Sequence, residues 1–213
     1  AGGEQSLGVV ADQHAVGLRQ QPREAQEHLG LRRRRERRDG LGVHAHQPAG
    51  NFPAVIDHAH ERCYGPFLRT MADYPEFRFA FHASGPLLDE LVQRFPDDIA
   101  LLRTMVARGQ VELFGGGDAE PVLASIPHRD RVRQILALSA RLEATLGAKP
   151  RGAWLTERVW EPDLTEDLAA AGVEYTVLDD RLFLTTGFKK DDLGRSYATE
   201  SGGSYIRVFP IDM

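Results

Sequence analysis

From Leu41 onward the chain alternates short apolar runs of strand length with longer segments whose apolar residues return every three or four positions. Strands separated by helices over this length imply a parallel α/β sheet. The strand-type runs are Leu41-Gly42-Val43, Phe77 to His82, the segment Gly109 to Gly115, Gly152 to Leu155, and Tyr175 to Leu178. Between them, Val55 to Tyr74 carries apolar residues at helical spacing, Ser84-Gly85-Pro86 opens a helix with Ser84 as its cap, and Asp98 to Arg108 reads as another. Leu87, Leu88, Leu91 and Val92 are the expected buried stripe of the Ser84 helix. Arg129 to Leu146 is a long amphipathic helix with Val132, Ile135, Leu136, Leu138 and Leu142 inside. Asp163-Leu164-Thr165-Glu166 resembles a capping box for a helix through Ala171, which Gly172 ends. Phe183-Leu184, Tyr197-Ala198-Thr199 and Tyr205 to Phe209 read as short extended pieces.

Residues 1–40 stand apart. They contain no Phe, Trp, Tyr, Ile or Met, begin at Ala, and carry a net charge of +2, against −7 for the remainder. Such a stretch cannot bury enough apolar surface to fold, so it is expected to be a disordered extension, foreign to the folded part. It has no apolar segment of the signal-peptide kind. The acidic balance of residues 41–213 disfavours nucleic acid as a partner. No apolar run approaches the roughly 18 residues of a membrane span. Cys63 is the single cysteine and cannot form an internal disulfide, which points to a cytoplasmic setting.

Three segments carry chemistry. His44-Ala45-His46-Gln47-Pro48 follows the first strand, and residues two apart on a strand face the same way, so both imidazoles point from its end. Gly109 to Gly117 is an apolar strand with one inward acid, Glu112, running into three glycines that allow a tight turn or close approach to a ligand. A buried Glu112 carboxylate would need a partner, either a first-strand histidine or a sugar hydroxyl. Trp154-Leu155-Thr156-Glu157 sets an indole beside a carboxylate at a strand end. An aromatic face stacks on a pyranose ring and a fixed carboxylate can attack or stabilise an anomeric carbon. The same segment also fits an ordinary strand-to-helix junction with a buried Trp.

Taken in order, HAHQPAGNF from His44, GQVELFGGG with EPVLASIP from Gly109, and WLTERVWEP from Trp154 resemble glycoside hydrolase family 57, in its 4-α-glucanotransferase and α-amylase branch. The resemblance runs from about Leu41 to Met213. It implies an incomplete seven-stranded (β/α) barrel with chemistry at the carboxyl ends of the strands. It also implies an α-1,4-glucan or malto-oligosaccharide substrate, no cofactor and no metal. Glu157 would be the nucleophile of a retaining mechanism, and His44, His46, Glu112 and Trp154 would line the adjoining glucose site. The general acid would be an aspartate in a later motif, beyond Met213, so residues 41–213 are expected to be a partial catalytic domain that alone turns over little or no glucan. Asp179 and Asp180 are the best-placed internal substitutes, although an Asp pair at a strand end more often serves loop amides or a helix cap. Asp118-Ala119 departs from the two aromatic residues usual in this branch before Glu-Pro.

Two rival readings remain. A His-x-His pair on a first strand also suits a metal-dependent barrel hydrolase using His44 and His46, but further ligands should come from later strands and none of the 8 histidines lies beyond His128. A non-catalytic carbohydrate-binding remnant would keep Glu157 idle.

Overall fold

The computed structural model describes residues 40–211; the expectation for residues 1–39 lies outside them. The strands are β1 (Leu41–Ala45), β2 (Phe79–Ala83), β3 (Val111–Gly115), β4 (Gly152–Ala153), β5 (Tyr175–Asp179), β6 (Tyr197–Ser201) and β7 (Ser204–Ile211). They form one sheet in the order β1-β2-β3-β4-β5-β7-β6. All ladders are parallel except β6 with β7. That last pair, read from sequence only as extended pieces, is a hairpin. Gly202 and Gly203, at φ 54° and 81°, make the two-residue turn whose twist matches paired strands.

Helices α1 (Pro53–Ala59) and α2 (Gly65–Ala72) are joined by a π-helical turn, His60–Tyr64, so the single helix expected over Val55 to Tyr74 carries a bulge. Then come α3 (Gly85–Arg94), α4 (Pro96–Ala107), α5 (His128–Leu146), α6 (Leu164–Ala170) and α7 (Asp180–Thr185). Phe183 and Leu184 are therefore helical rather than extended. The reason is local: Asp179 accepts a hydrogen bond from the Arg181 amide at 3.0 Å and starts a helix that buries Phe183.

Two apolar cores lie between sheet and helices. Phe79, Phe81, Val111 and Leu113 meet Leu102, Met105, Leu138 and Leu142 in one, while Ala153, Leu178, Ile206 and Val208 meet Leu164, Leu168 and Phe183 in the other. Val92 and Leu136, expected inside, are 38% and 43% exposed, because each sits about 100° around the helix from the buried Leu91 or Ile135 beside it. Ser84 occupies the expected cap position of α3 but its hydroxyl makes no capping bond. Asp163 does not close a capping box either, since its carboxylate is drawn to Arg131 at 2.8 Å.

Pleat alternation decides what the other sheet face carries. With Ala45, Phe81, Leu113 and Leu178 turned to the helices, His44, His82, Glu112, Phe114 and Tyr175 point away from them. The register pairs His44 with His82 near the carboxyl ends of β1 and β2. Glu112 pairs with Ala80, two residues earlier along β2.

Candidate active site

His44 is the centre of a stack of rings. Trp154 lies against one side with centroids 4.7 Å apart and 21° between planes, and His46 follows at 5.7 Å and 24°. Behind them sits His82, 2% exposed, whose Nδ1 is 2.8 Å from His44 Nδ1; one of the two nitrogens carries the hydrogen. Glu120 enters from the loop after β3. Its Oε2 accepts from His46 Nδ1, and its Oε1 lies 3.5 Å from His82 Nδ1 and 3.7 Å from His44 Nε2. The Glu120 side chain is 5% exposed, and Oε1 has no hydrogen-bond partner. Glu157, exposed just past β4, is close enough to raise the pKa values of both His44 and Glu120 through its charge.

Burial governs the electrostatics. His44 is lowered to about 4, first by burial and then by the neighbouring His46, and His82 to about 3 by burial and then by His44. Both rings are neutral at pH 7. Burial raises the Glu120 carboxyl despite the opposing pull of His46.

The backbone is strained in the same place. Among the described residues the non-glycine positions with positive φ are Glu120 (51°), Glu157 (55°) and Arg158 (55°). A left-handed conformation costs a side-chain-bearing residue on the order of 1 kcal/mol or more, and such strain concentrates where function sets geometry. Gly116 makes the arrangement possible, for a Cβ there would lie 2.7 Å from the Trp154 carbonyl oxygen and 3.2 Å from His82 Nε2. The glycine run thus serves close approach of protein to protein.

Of the residues singled out from sequence, His44, His46, Trp154 and Glu157 come together and Glu112 does not. Glu112 shares their sheet face but lies one pleat repeat, about 7 Å, toward the amino-terminal ends. There it is exposed and contacts the Tyr175 hydroxyl, whose pKa is raised by burial and by that carboxylate. Its place in the cluster is taken by Glu120, with His82 beneath. His82 was legible as a polar residue closing an apolar strand; Glu120, in a loop, left no periodic signal. Asp179 caps α7 and lies 3.6 Å from Arg158 Nε, in keeping with the structural role of an Asp pair at a strand end. Asp118 is held by Arg141 at 3.0 Å on the helix side.

A largely parallel strand-and-helix sheet with imidazoles, an indole and carboxylates gathered at its strand ends is the architecture of part of a (β/α) barrel. The model of glycosyl hydrolase family 57 matches residues 40–213, and the chain belongs to that family. It is 48% identical over 172 residues to an α-amylase of Pyrococcus furiosus and 49% identical over 172 residues to a 4-α-glucanotransferase of Thermococcus kodakarensis. Each match covers 81% of this chain but only 26% of the relative, so the chain spans about a quarter of those proteins. The crystal structure of 4-α-glucanotransferase from Thermococcus litoralis superposes with a TM-score of 0.79 at 46% identity, over 81% of this chain and 27% of that one. An α-amylase structure from Thermotoga maritima, at 17% identity and a TM-score of 0.63, shares the fold. Among the described residues no helix is long and apolar enough to cross a membrane.

Proposed function

We propose that this chain is the glucose-binding and nucleophile-bearing part of a retaining α-glucan enzyme. The observation that carries the reading is Glu157, in a left-handed backbone conformation beside the His44–Trp154 stack and within electrostatic reach of Glu120. Trp154, backed by the His44 ring, offers a flat face to a pyranose ring, while His46, 47% exposed in its side chain and held through Nδ1 by the buried Glu120, offers its other ring nitrogen to a hydroxyl. Glu157 attacks the anomeric carbon, the glycosidic bond breaks, and a covalent glycosyl ester forms. Retaining chemistry needs a second carboxyl about 5 Å away to protonate the leaving oxygen. The family resemblance implies that this acid is an aspartate of a later motif, and Asp179, engaged with the Arg181 amide and Arg158, is already committed elsewhere. Water or a sugar hydroxyl then releases the ester, giving hydrolysis or glucan transfer; relatives named α-amylase and 4-α-glucanotransferase support both outcomes.

A 5-fluoro-α-glucosyl fluoride tests the nucleophile directly, because fluoride departs with little help from a general acid. Peptide mapping is expected to place one glucosyl label on Glu157. A label on another residue, or equal labelling of a Glu157→Gln variant, sinks the assignment.

A further inference from the structure

The cluster behind the mouth has the composition of a metal site. His44 and His82 face each other through Nδ1 atoms 2.8 Å apart, and Glu120 Oε1 lies 3.5 Å from His82 Nδ1. One nitrogen of each imidazole and a Glu120 oxygen all fall within 4.8 Å of one another. Ligands on a tetrahedral zinc ion sit at about 2.0–2.2 Å from it, hence roughly 3.3 Å from each other. The three atoms need move only by tenths of an ångström to a little over an ångström to share one ion.

A second feature points the same way. Glu120 Oε1 is buried and receives no hydrogen bond, whereas Oε2 is held by His46. A buried carboxylate oxygen without a donor is costly unless a cation meets it. The His46 contact fixes the carboxylate as an outer-shell partner fixes a ligand. The His44 side chain, 30% exposed, is the most accessible of the three.

We infer that His44, His82 and Glu120 bind a single divalent transition-metal ion of the zinc type. Two imidazoles and one carboxylate favour zinc over calcium or magnesium, which prefer all-oxygen sites. His82 coordinates through Nδ1, the nitrogen that faces both His44 and Glu120, and the ion replaces the hydrogen now shared between the two rings. The ion lies in the plane of the His44 ring, at the edge that faces the buried His82, and the site does not rest on the glucan reading.

The test is calorimetric titration of the chelator-stripped 213-residue chain with zinc chloride at pH 7, repeated with cobalt(II) to read tetrahedral visible bands. The expected result is a site lost, with affinity falling at least about 100-fold, in both His82→Asn and Glu120→Gln, and retained in His58→Asn, which alters an exposed histidine elsewhere. Circular dichroism melting of each variant checks folding, and Glu120→Gln is the conservative change should His82→Asn unfold. No zinc binding, or binding that Glu120→Gln leaves unchanged in a folded chain, overturns the inference. No glucan enters the readout, so a failed titration leaves the Glu157 assignment standing, and a failed glucosyl label leaves the metal site standing.

Discussion

The Trp154 indole lies nearly parallel to the His44 imidazole, with ring centroids 4.7 Å apart. The backbone arranges this: the Trp154 amide donates to the Gly115 carbonyl at 2.9 Å and brings the residue after β4 alongside the first strands. Trp154→Phe keeps a flat face and Trp154→Ala removes it. Malto-oligosaccharide affinity, measured by calorimetry, is expected to fall about tenfold in the alanine variant, near 1.4 kcal/mol, and less in the phenylalanine variant.

Glu112 and Glu120 separate two versions of the site. Glu120→Gln is expected to weaken malto-oligosaccharide binding by about tenfold, while Glu112→Gln, a pleat repeat lower against Tyr175, leaves it within twofold. A larger loss at Glu112 would restore the reading in which the strand acid lines the sugar.

His82 makes stability depend on pH. Its folded pKa of about 3 is below the ordinary 6.5, so between these values the unfolded chain binds more protons and folding weakens as pH falls. His44, at about 4, acts in the same direction, and the raised Glu120 acts in the opposite one. The His82 contribution amounts to about 3 kcal/mol by pH 4. Denaturant unfolding from pH 7 to pH 4 should show a shallower loss for His82→Asn than for the parent chain.

Arg131 is a buried cation, 8% exposed in its side chain, bonded to Asp163 at 2.8 Å and Asp167 at 3.0 Å. Removing it leaves the buried Asp167 carboxylate with only His128, whose Nδ1 is 3.0 Å away, and Arg131→Ala is expected to cost about 3 kcal/mol in denaturant unfolding. Arg151, paired with Glu174 on the surface, should cost under about 1 kcal/mol when replaced.

Gly116 and Gly147 differ in what surrounds them. A Cβ at Gly116 would press on the Trp154 carbonyl at 2.7 Å, while one at Gly147 would meet nothing within 4 Å and only the strain of φ 81°. Gly147→Ala is expected to cost about 1 kcal/mol. Gly116→Ala should cost more and should also disturb Trp154 fluorescence.

Strand and helix positions were readable because burial on one side imposes a period: Phe79 and Phe81 alternate inward, and Ile135, Leu138 and Leu142 recur on one helical face. His44, His46, Trp154 and Glu157 were singled out by their places at strand ends together with the family motifs that contain them, not by any period. Register left no such mark. Whether Glu112 or Glu120 meets the histidines depends on how far β3 slides against β2 and on a left-handed turn at Glu120, both settled by contacts between segments remote in the chain. The same holds for His82 under His44, and for Asp163, which bonds Arg131 across 32 positions instead of capping its own helix. A periodic pattern reports which side of an element is dry, whereas partners on that side are chosen when distant segments pack.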